Sequence, residues 1–532
     1  MITAVTGEPR AKAAASERTV GDAFADCLAR YAWVVLVLLL AGFVACAVIA
    51  SKQKPIWYDE FFTYAVATQP TVHRFFEAMP PEGNPPLYTF LAKLSLEVFG
   101  AHALALRLPA MVGFGAALIG LWVFVRRVSN GLYGLLAVAM VLAQPVWMYS
   151  FEARPYGVML ACTMLALVSW QAAAHSLERD PGASRRLALA GLAVGIVGAI
   201  FSHYIGLLEV TIPLLFGEGY RTYRRRALDR PLLITGAVAC LSFGFVLPMM
   251  HRTKEVVINR SPFTLRFIST HLRLYIHGLK TSWEQIFDGR VLLLLLWLAV
   301  MSWTLRPRAD PRDRPQAVFG RVPSDAMAAA VGAAMLVPLT WLAMQTAKGY
   351  YFCRYGIGSV FGVALVTTLL LARRKEPSRP MLVLLVFVLG TMIRNEAHYV
   401  MGFPAVPPQV TYGALYADTS GLPVVVMEAF TYPTIWWYAP EPLKRRLVYL
   451  ADVSEHSNNG ERLLDAVLVA EGANLPASLS TRAEFLRSHQ HFLIYDDAYE
   501  GPLKREQLMS SGCMASPMAG QGSGFFDVRC QP

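Results

Sequence analysis

Apolar runs recur along this chain near 31–50, 104–125, 131–149, 157–175, 187–200, 205–217, 231–250, 291–305, 326–346, 356–372 and 380–396. A helix of ~20 apolar residues spans the hydrocarbon core of a bilayer, so a chain with this many such runs folds as a bundle of membrane helices. Composition agrees: 55% of residues are hydrophobic and 16% charged, against about 25% charged in soluble domains. The expectation is a polytopic α-helical membrane protein with about eleven transmembrane helices and a small C-terminal α/β domain outside the membrane. Residues 1–30 carry Arg10, Lys12, Arg18 and Arg30 in a polar leader without a cleavage pattern, so the first run stays as an anchor.

Charge orients the bundle. With the N-terminus in the cytoplasm, Lys and Arg are about twice as dense in the inward connections as in the outward ones, as the positive-inside rule requires. Reading 187–217 as one span would put Arg221 to Arg230 outside and break that pattern, so two helices parted by Ser202-His203-Tyr204 are expected. The net charge of +11 is absorbed by these basic connections and implies no nucleic-acid partner.

Residues 399–532 change character. Val424–Met427, a segment following Pro442 to Leu450, Ala466–Val469 and Phe492–Tyr495 read as strands, and Ser480–Ser488 as a short helix. Cys513 and Cys530 both fall in this tail, where an oxidising compartment permits a disulfide, and pairing and non-pairing stand about equal. Cys27, Cys46, Cys162 and Cys240 lie in the leader or the spans, and no Cys/His spacing suits zinc.

The chemistry concentrates in Ile56 to Tyr88, just past the first span. Asp59 and Glu60 stand side by side among Trp57, Tyr58, Phe61, Phe62 and Tyr64, and a stiff Asn84-Pro85-Pro86 entry follows. Carboxylates this close to a bilayer are costly unless they are used, although a helix cap or a solvated loop would also account for them.

This stretch, the run at Ala105–Ala110, Ser150 to Tyr156, Ser202-His203-Tyr204 and Tyr351 to Tyr355 together resemble the bacterial relatives of the protein O-mannosyltransferases. These are family 39-like glycosyltransferases of the GT-C superfamily, which includes the lipid A aminoarabinose transferases. The resemblance covers residues 30–400. It implies a catalytic domain at 31–398, with outer loops 51–103 and 251–290, in a bacterial cytoplasmic (inner) membrane. It also implies that Asp59, the first acid after the first span, takes the proton of an acceptor hydroxyl. A carboxylate there is equally a ligand type that Mg or Mn accepts, and the sequence leaves metal use open.

Glu60 and Glu152 are the further acidic candidates, Glu152 either in the same outer cavity or paired with Arg154. Arg354, Arg107, Lys93 and Lys348 are candidates for the donor phosphate, with snorkelling the bland alternative for the two lysines. Tyr58, Asn84, Arg154, Tyr156, His203, Tyr204 and Tyr351 would line the substrate. In the aminoarabinose branch the residue before the first proline of the Pro-Pro-Leu motif is basic; here it is Asn84, which argues against carrying over that branch's sugar. Loop 251–290, amphipathic over Phe263–Lys280, is expected to lie on the membrane surface. The aromatic group Tyr432, Trp436, Trp437 and Tyr438 would either stack on sugars or pack the tail against the bundle.

The activity implied is transfer of a sugar from a polyprenyl-phosphate donor to a lipid, glycan or protein acceptor, with inversion. The alternatives are a transporter or flippase of a lipid-linked substrate and a noncatalytic envelope assembly factor. Transporters commonly place their informative groups at broken midplane helices, whereas here they cluster at helix ends.

Overall fold

The computed structural model describes residues 27–176, 182–253, 322–346, 352–372, 378–402, 408–451, 475–496, 508–518 and 524–531. The first anchor is α1 (Ala32–Gln53). The connection 51–103 carries three helices: α2 (Tyr58–Ala67), α3 (Val72–Glu82) and α4 (Pro86–Phe99). Their boundaries are written locally. Thr71 Oγ1 accepts from Arg74 N at the start of α3, and Pro86 opens α4 at a position where no amide donor is needed.

The bundle continues through α5 (Ala103–Val128), α6 (Gly131–Leu142), a 3₁₀ turn (Pro145–Phe151), α7 (Tyr156–Ser176), α8 (Ala183–Ser202), α9 (Gly206–Arg225), α10 (Arg230–Leu241) and α11 (Phe243–Thr253). After the residues outside the described set come α12 (Ser324–Ala334), α13 (Leu336–Thr346), a 3₁₀ turn (Cys353–Gly356), α14 (Gly358–Ala372) and α15 (Ser378–Gly402). The segment 187–217 is two helices of 20 residues each, longer than the apolar runs because both ends are polar.

The expectation of a single straight span at 131–149 is corrected. That segment breaks at Ala143–Gln144, and its two parts meet at 78°, because Pro145 offers no amide hydrogen to continue α6. The span at 326–346 likewise bends by 51° between α12 and α13. Among the described residues, five helices are long and apolar enough to cross a membrane, or seven if each bent pair is one span. The expected run 291–305 and nearly all of loop 251–290 lie outside the described residues. Helices α5 and α7 approach closely at Gly157, where a Cβ would stand 2.2 Å from the Ala110 carbonyl oxygen.

The tail forms a six-stranded sheet of order β3-β2-β1-β4-β6-β5. Its strands are β1 (Val424–Val426), β2 (Leu447–Ala451), β3 (Ser478–Thr481), β4 (His491–Tyr495), β5 (Cys513–Pro517) and β6 (Phe525–Cys530). The first four run parallel, with β1 between β2 and β4 (Val424 opposite Leu447 and Leu493), and β6 and β5 close the edge antiparallel. Strands β1 and β4 fall where the sequence pattern places them; β2 lies largely within Pro442 to Leu450 rather than after it, the helix expected from Ser480 begins at Arg482 because Ser480 and Thr481 belong to β3, and the Ala466–Val469 candidate lies outside the described residues. Cys513 and Cys530, facing each other across β5 and β6, form a disulfide.

A helix at Thr431–Tyr438 fixes this sheet to the bundle. Thr434 Oγ1 donates to the Ile56 carbonyl at 2.7 Å, and Ile56 N donates to Tyr438 Oη at 3.3 Å. Trp436 packs edge-on to Phe61 and Trp437 to Tyr64. The tail aromatics therefore serve packing, and they anchor the sheet to the helix that carries Asp59.

Candidate active site

Helix α2 begins at the aromatic stretch and turns its two acids in different directions. Glu60 points inward and is fully buried with Arg107 of α5. Arg107 Nε donates to Glu60 Oε1 at 2.7 Å and Nη2 to Oε2 at 2.6 Å, the bidentate fork that guanidinium and carboxylate favour. The remaining Arg107 hydrogens go to the carbonyls of Ser51, Lys54 and Pro55, and Ala153 N donates to Glu60 Oε1. Burial raises the Glu60 pKa, but Arg107 outweighs it and holds the carboxyl below its ordinary value. Arg107, expected at the donor phosphate, spends all five of its N–H groups within the protein, and Glu60, a further acidic candidate, is taken up by Arg107 and Ala153; together they lock the end of α1 to α2, α5 and the 151–155 turn.

Asp59 points the other way and keeps 22% of its side chain exposed. Two guanidinia from separate parts of the chain face its Oδ2: Arg154 Nη2 at 3.7 Å and Arg354 Nη2 at 3.9 Å. Arg154 follows the broken span, and Arg354 sits in the Cys353–Gly356 turn, with its guanidinium 4.8 Å from the Phe352 ring. Sequence positions almost 300 apart are thus brought to one carboxylate.

Arg154 also reaches an acid that the motif reading missed. Glu82, at the end of α3, stands 3.7 Å from Arg154 Nη1 and is buried. Thr63 Oγ1 donates to its Oε1 at 2.9 Å, and Asn84 Nδ2 to its Oε2 at 3.0 Å. Burial is the largest influence on Glu82 and raises its pKa; Arg154, Asn84 and Thr63 oppose this in part, and Asp59 adds to it. The signal in the sequence is its place two residues before Asn84 in Glu-Gly-Asn-Pro-Pro. Asn84 itself is buried and orients Glu82.

Glu152 pairs with Lys54 rather than with Arg154, and the Lys54 ammonium lies 5.5 Å from the Trp57 ring. Lys93, expected at a phosphate, donates to the carbonyls of Gln69 and Ala67 at the end of α2, which withdraws it from that set. Tyr58 is buried against Phe62 and Phe430. Lys348 and Tyr351 lie outside the described residues.

His203 occupies the α8–α9 turn, with Nδ1 accepting from Ile205 N. Its ring lies 5.4 Å from both Tyr156 and Tyr355, and Tyr204 of the same turn packs on the bundle core. Burial, with Arg154 and Arg354 adding to it, pushes the His203 pKa down to about 3, so the imidazole is neutral. Asp59 with Arg154 and Arg354, and His203 with Tyr156 and Tyr355, are thus linked through the Cys353–Gly356 turn, which bears both Arg354 and Tyr355.

Among the described residues, no group of three or more His, Cys, Asp or Glu side chains could hold a metal ion. Asp59 faces two cations, a setting that does not suit a divalent metal with oxygen ligands.

Residues 83–251 match the model of the dolichyl-phosphate-mannose-protein mannosyltransferase family. A search of curated proteins finds no match. Among solved structures, the chain is similar to ArnT from Cupriavidus metallidurans bound to undecaprenyl phosphate, at 12% identity and TM-score 0.47. It is also similar to the apo state of that protein, at 15% identity and TM-score 0.44. Each comparison covers 94% of this chain and 99% of the other. The family match takes in Asn84, Arg107, Glu152, Arg154, Tyr156 and His203.

Proposed function

We propose that this GT-C superfamily glycosyltransferase moves a sugar from a polyprenyl-phosphate donor to a hydroxyl of an acceptor on the outer face of a bacterial cytoplasmic membrane. The family match supports the transferase class and a lipid-phosphate donor. The observation that carries the mechanism is Asp59 between Arg154 and Arg354. The ionised Asp59 takes the acceptor proton as its oxygen bonds to the anomeric carbon. The sugar–phosphate bond breaks in the same displacement, and its electron pair leaves on the phosphate oxygen. Arg354 and Arg154 neutralise the charge that develops there. One displacement inverts the anomeric centre and needs no carboxylate nucleophile.

The acceptor class left in view is a lipid, a surface polysaccharide or a protein, and the sugar is a hexose or pentose. Envelope mass spectrometry on intact, deleted and Asp59→Asn-complemented cells tests the reading. A sugar-sized mass should disappear on deletion and stay absent with Asp59→Asn present in the membrane. Full restoration by Asp59→Asn would move the transporter and assembly readings ahead.

A further inference from the structure

Glu209 is fully buried in the first turn of α9, six residues after His203. The mechanism above does not use it. A carboxyl placed among apolar helices is costly and is kept where it has a task. Its one described hydrogen bond crosses to α14: Gly358 N donates to Glu209 Oε1 at 3.2 Å. That amide is one of the donors that a helix start cannot satisfy within itself. Among the described residues the other oxygen, Oε2, has no hydrogen-bond partner, and neither does Thr163 Oγ1; Glu209 and Thr163 line the same cavity of about 10 Å³ with Pro213 and Phe361.

A Cβ at position 358 would stand 2.1 Å from Glu209 Oε2, so any larger residue there must push the carboxylate aside. Two residues earlier, a Cβ at Gly356 would stand 2.7 Å from the Val337 side chain of α13. The Cys353–Gly356 turn is therefore seated between α9 and α13. It bears Arg354, which faces Asp59, and Tyr355, which meets His203.

Resting on the transferase reading for its consequence, we propose that Glu209 is a positioning residue. It tethers the amide of Gly358 and so sets the turn that presents Arg354 to Asp59 and to the donor phosphate. The acid links the His203 turn at the start of α9 to the Arg354 turn at the start of α14. The task requires an acceptor at this position and does not require a negative charge.

The test uses the full chain in lipid nanodiscs with Glu209→Gln, Glu209→Leu and Gly358→Ala. Hydrogen–deuterium exchange over residues 352–360 reads the turn directly, without reference to any activity. Glu209→Leu and Gly358→Ala should speed exchange there about tenfold, while Glu209→Gln stays within about twofold of the unaltered chain. Binding of undecaprenyl phosphate should weaken about tenfold in the same two variants and be kept by Glu209→Gln. Unchanged exchange in Glu209→Leu overturns the tether, as does a Glu209→Gln variant that loosens as much as Glu209→Leu. A loosened turn with undiminished binding overturns the positioning role. If the unaltered chain binds no undecaprenyl phosphate, the transferase reading fails, and the exchange data still decide whether Glu209 holds the turn.

Discussion

Arg154 lies 3.7 Å from Asp59, and its other terminal nitrogen lies at the same distance from Glu82. One guanidinium thus spans a partly exposed carboxylate and a buried one. Replacing Arg154 by Lys keeps the charge and loses the fork. The expected outcome is a fall in kcat/KM of about 10²-fold, the scale of one lost charge-stabilising donor. Steady-state transfer by purified Arg154→Lys, normalised to folded protein, checks it.

The pair Glu60–Arg107 predicts a different phenotype. Both side chains are buried, so removing one leaves an uncompensated charge, which costs about 3–5 kcal/mol. Arg107→Leu and Glu60→Leu should each reduce the amount of folded protein, and the double variant should lose less than the sum. Thermal unfolding in detergent measures the cycle. Two additive losses would mean that the pair is not coupled.

His203 gives a pH dependence with a definite sign. Its folded pKa is about 3, below the ordinary 6.5. Between these values the unfolded chain binds a proton that the folded chain refuses. The stability tied to neutral His203 is therefore complete above pH about 6.5 and is lost as pH falls toward 3. His203→Gln should flatten the acid side of a stability–pH profile, while the parent profile drops over that window.

The Cys513–Cys530 disulfide closes a loop 17 residues apart in sequence. A loop of that size contributes about 3 kcal/mol. Reduction should destabilise the β4-β6-β5 edge selectively, seen as faster amide exchange in 508–531 with little change in α5 or α7.

How far the sequence announced this structure depends on the physics behind each feature. The division of 187–217 into α8 and α9 was legible because the polar Ser202-His203-Tyr204 parts two apolar runs that are together too long for one helix. The break after α6 was harder to read, since residues 131–149 are apolar apart from Gln144 and only Gln144-Pro145 marks the kink. The Asp59 cluster was legible as a motif. Its split into a buried structural acid and a facing acid was not, because neighbouring residues on a helix point about 100° apart and the sequence does not say which face Arg107 meets. Glu209 went unread because its partner Gly358 is far away in the chain, and Glu82 because its neighbour Asn84 does not announce the distant Arg154. Strands β5 and β6 lack a strong apolar alternation, so pairing and the disulfide, rather than pattern, define them.

In the proposed reaction Asp59 accepts the acceptor proton while Arg354 and Arg154 hold the leaving phosphate. The most direct measurement is single-turnover transfer from a radiolabelled polyprenyl-phosphate sugar by purified Asp59→Asn, beside the unaltered protein, with donor binding measured on the same samples. Donor binding should stay within a few-fold while the transfer rate falls by about 10²–10⁴-fold, the range assigned to a positioned general base. Transfer at an undiminished rate by folded, donor-binding Asp59→Asn would contradict the proposed reaction.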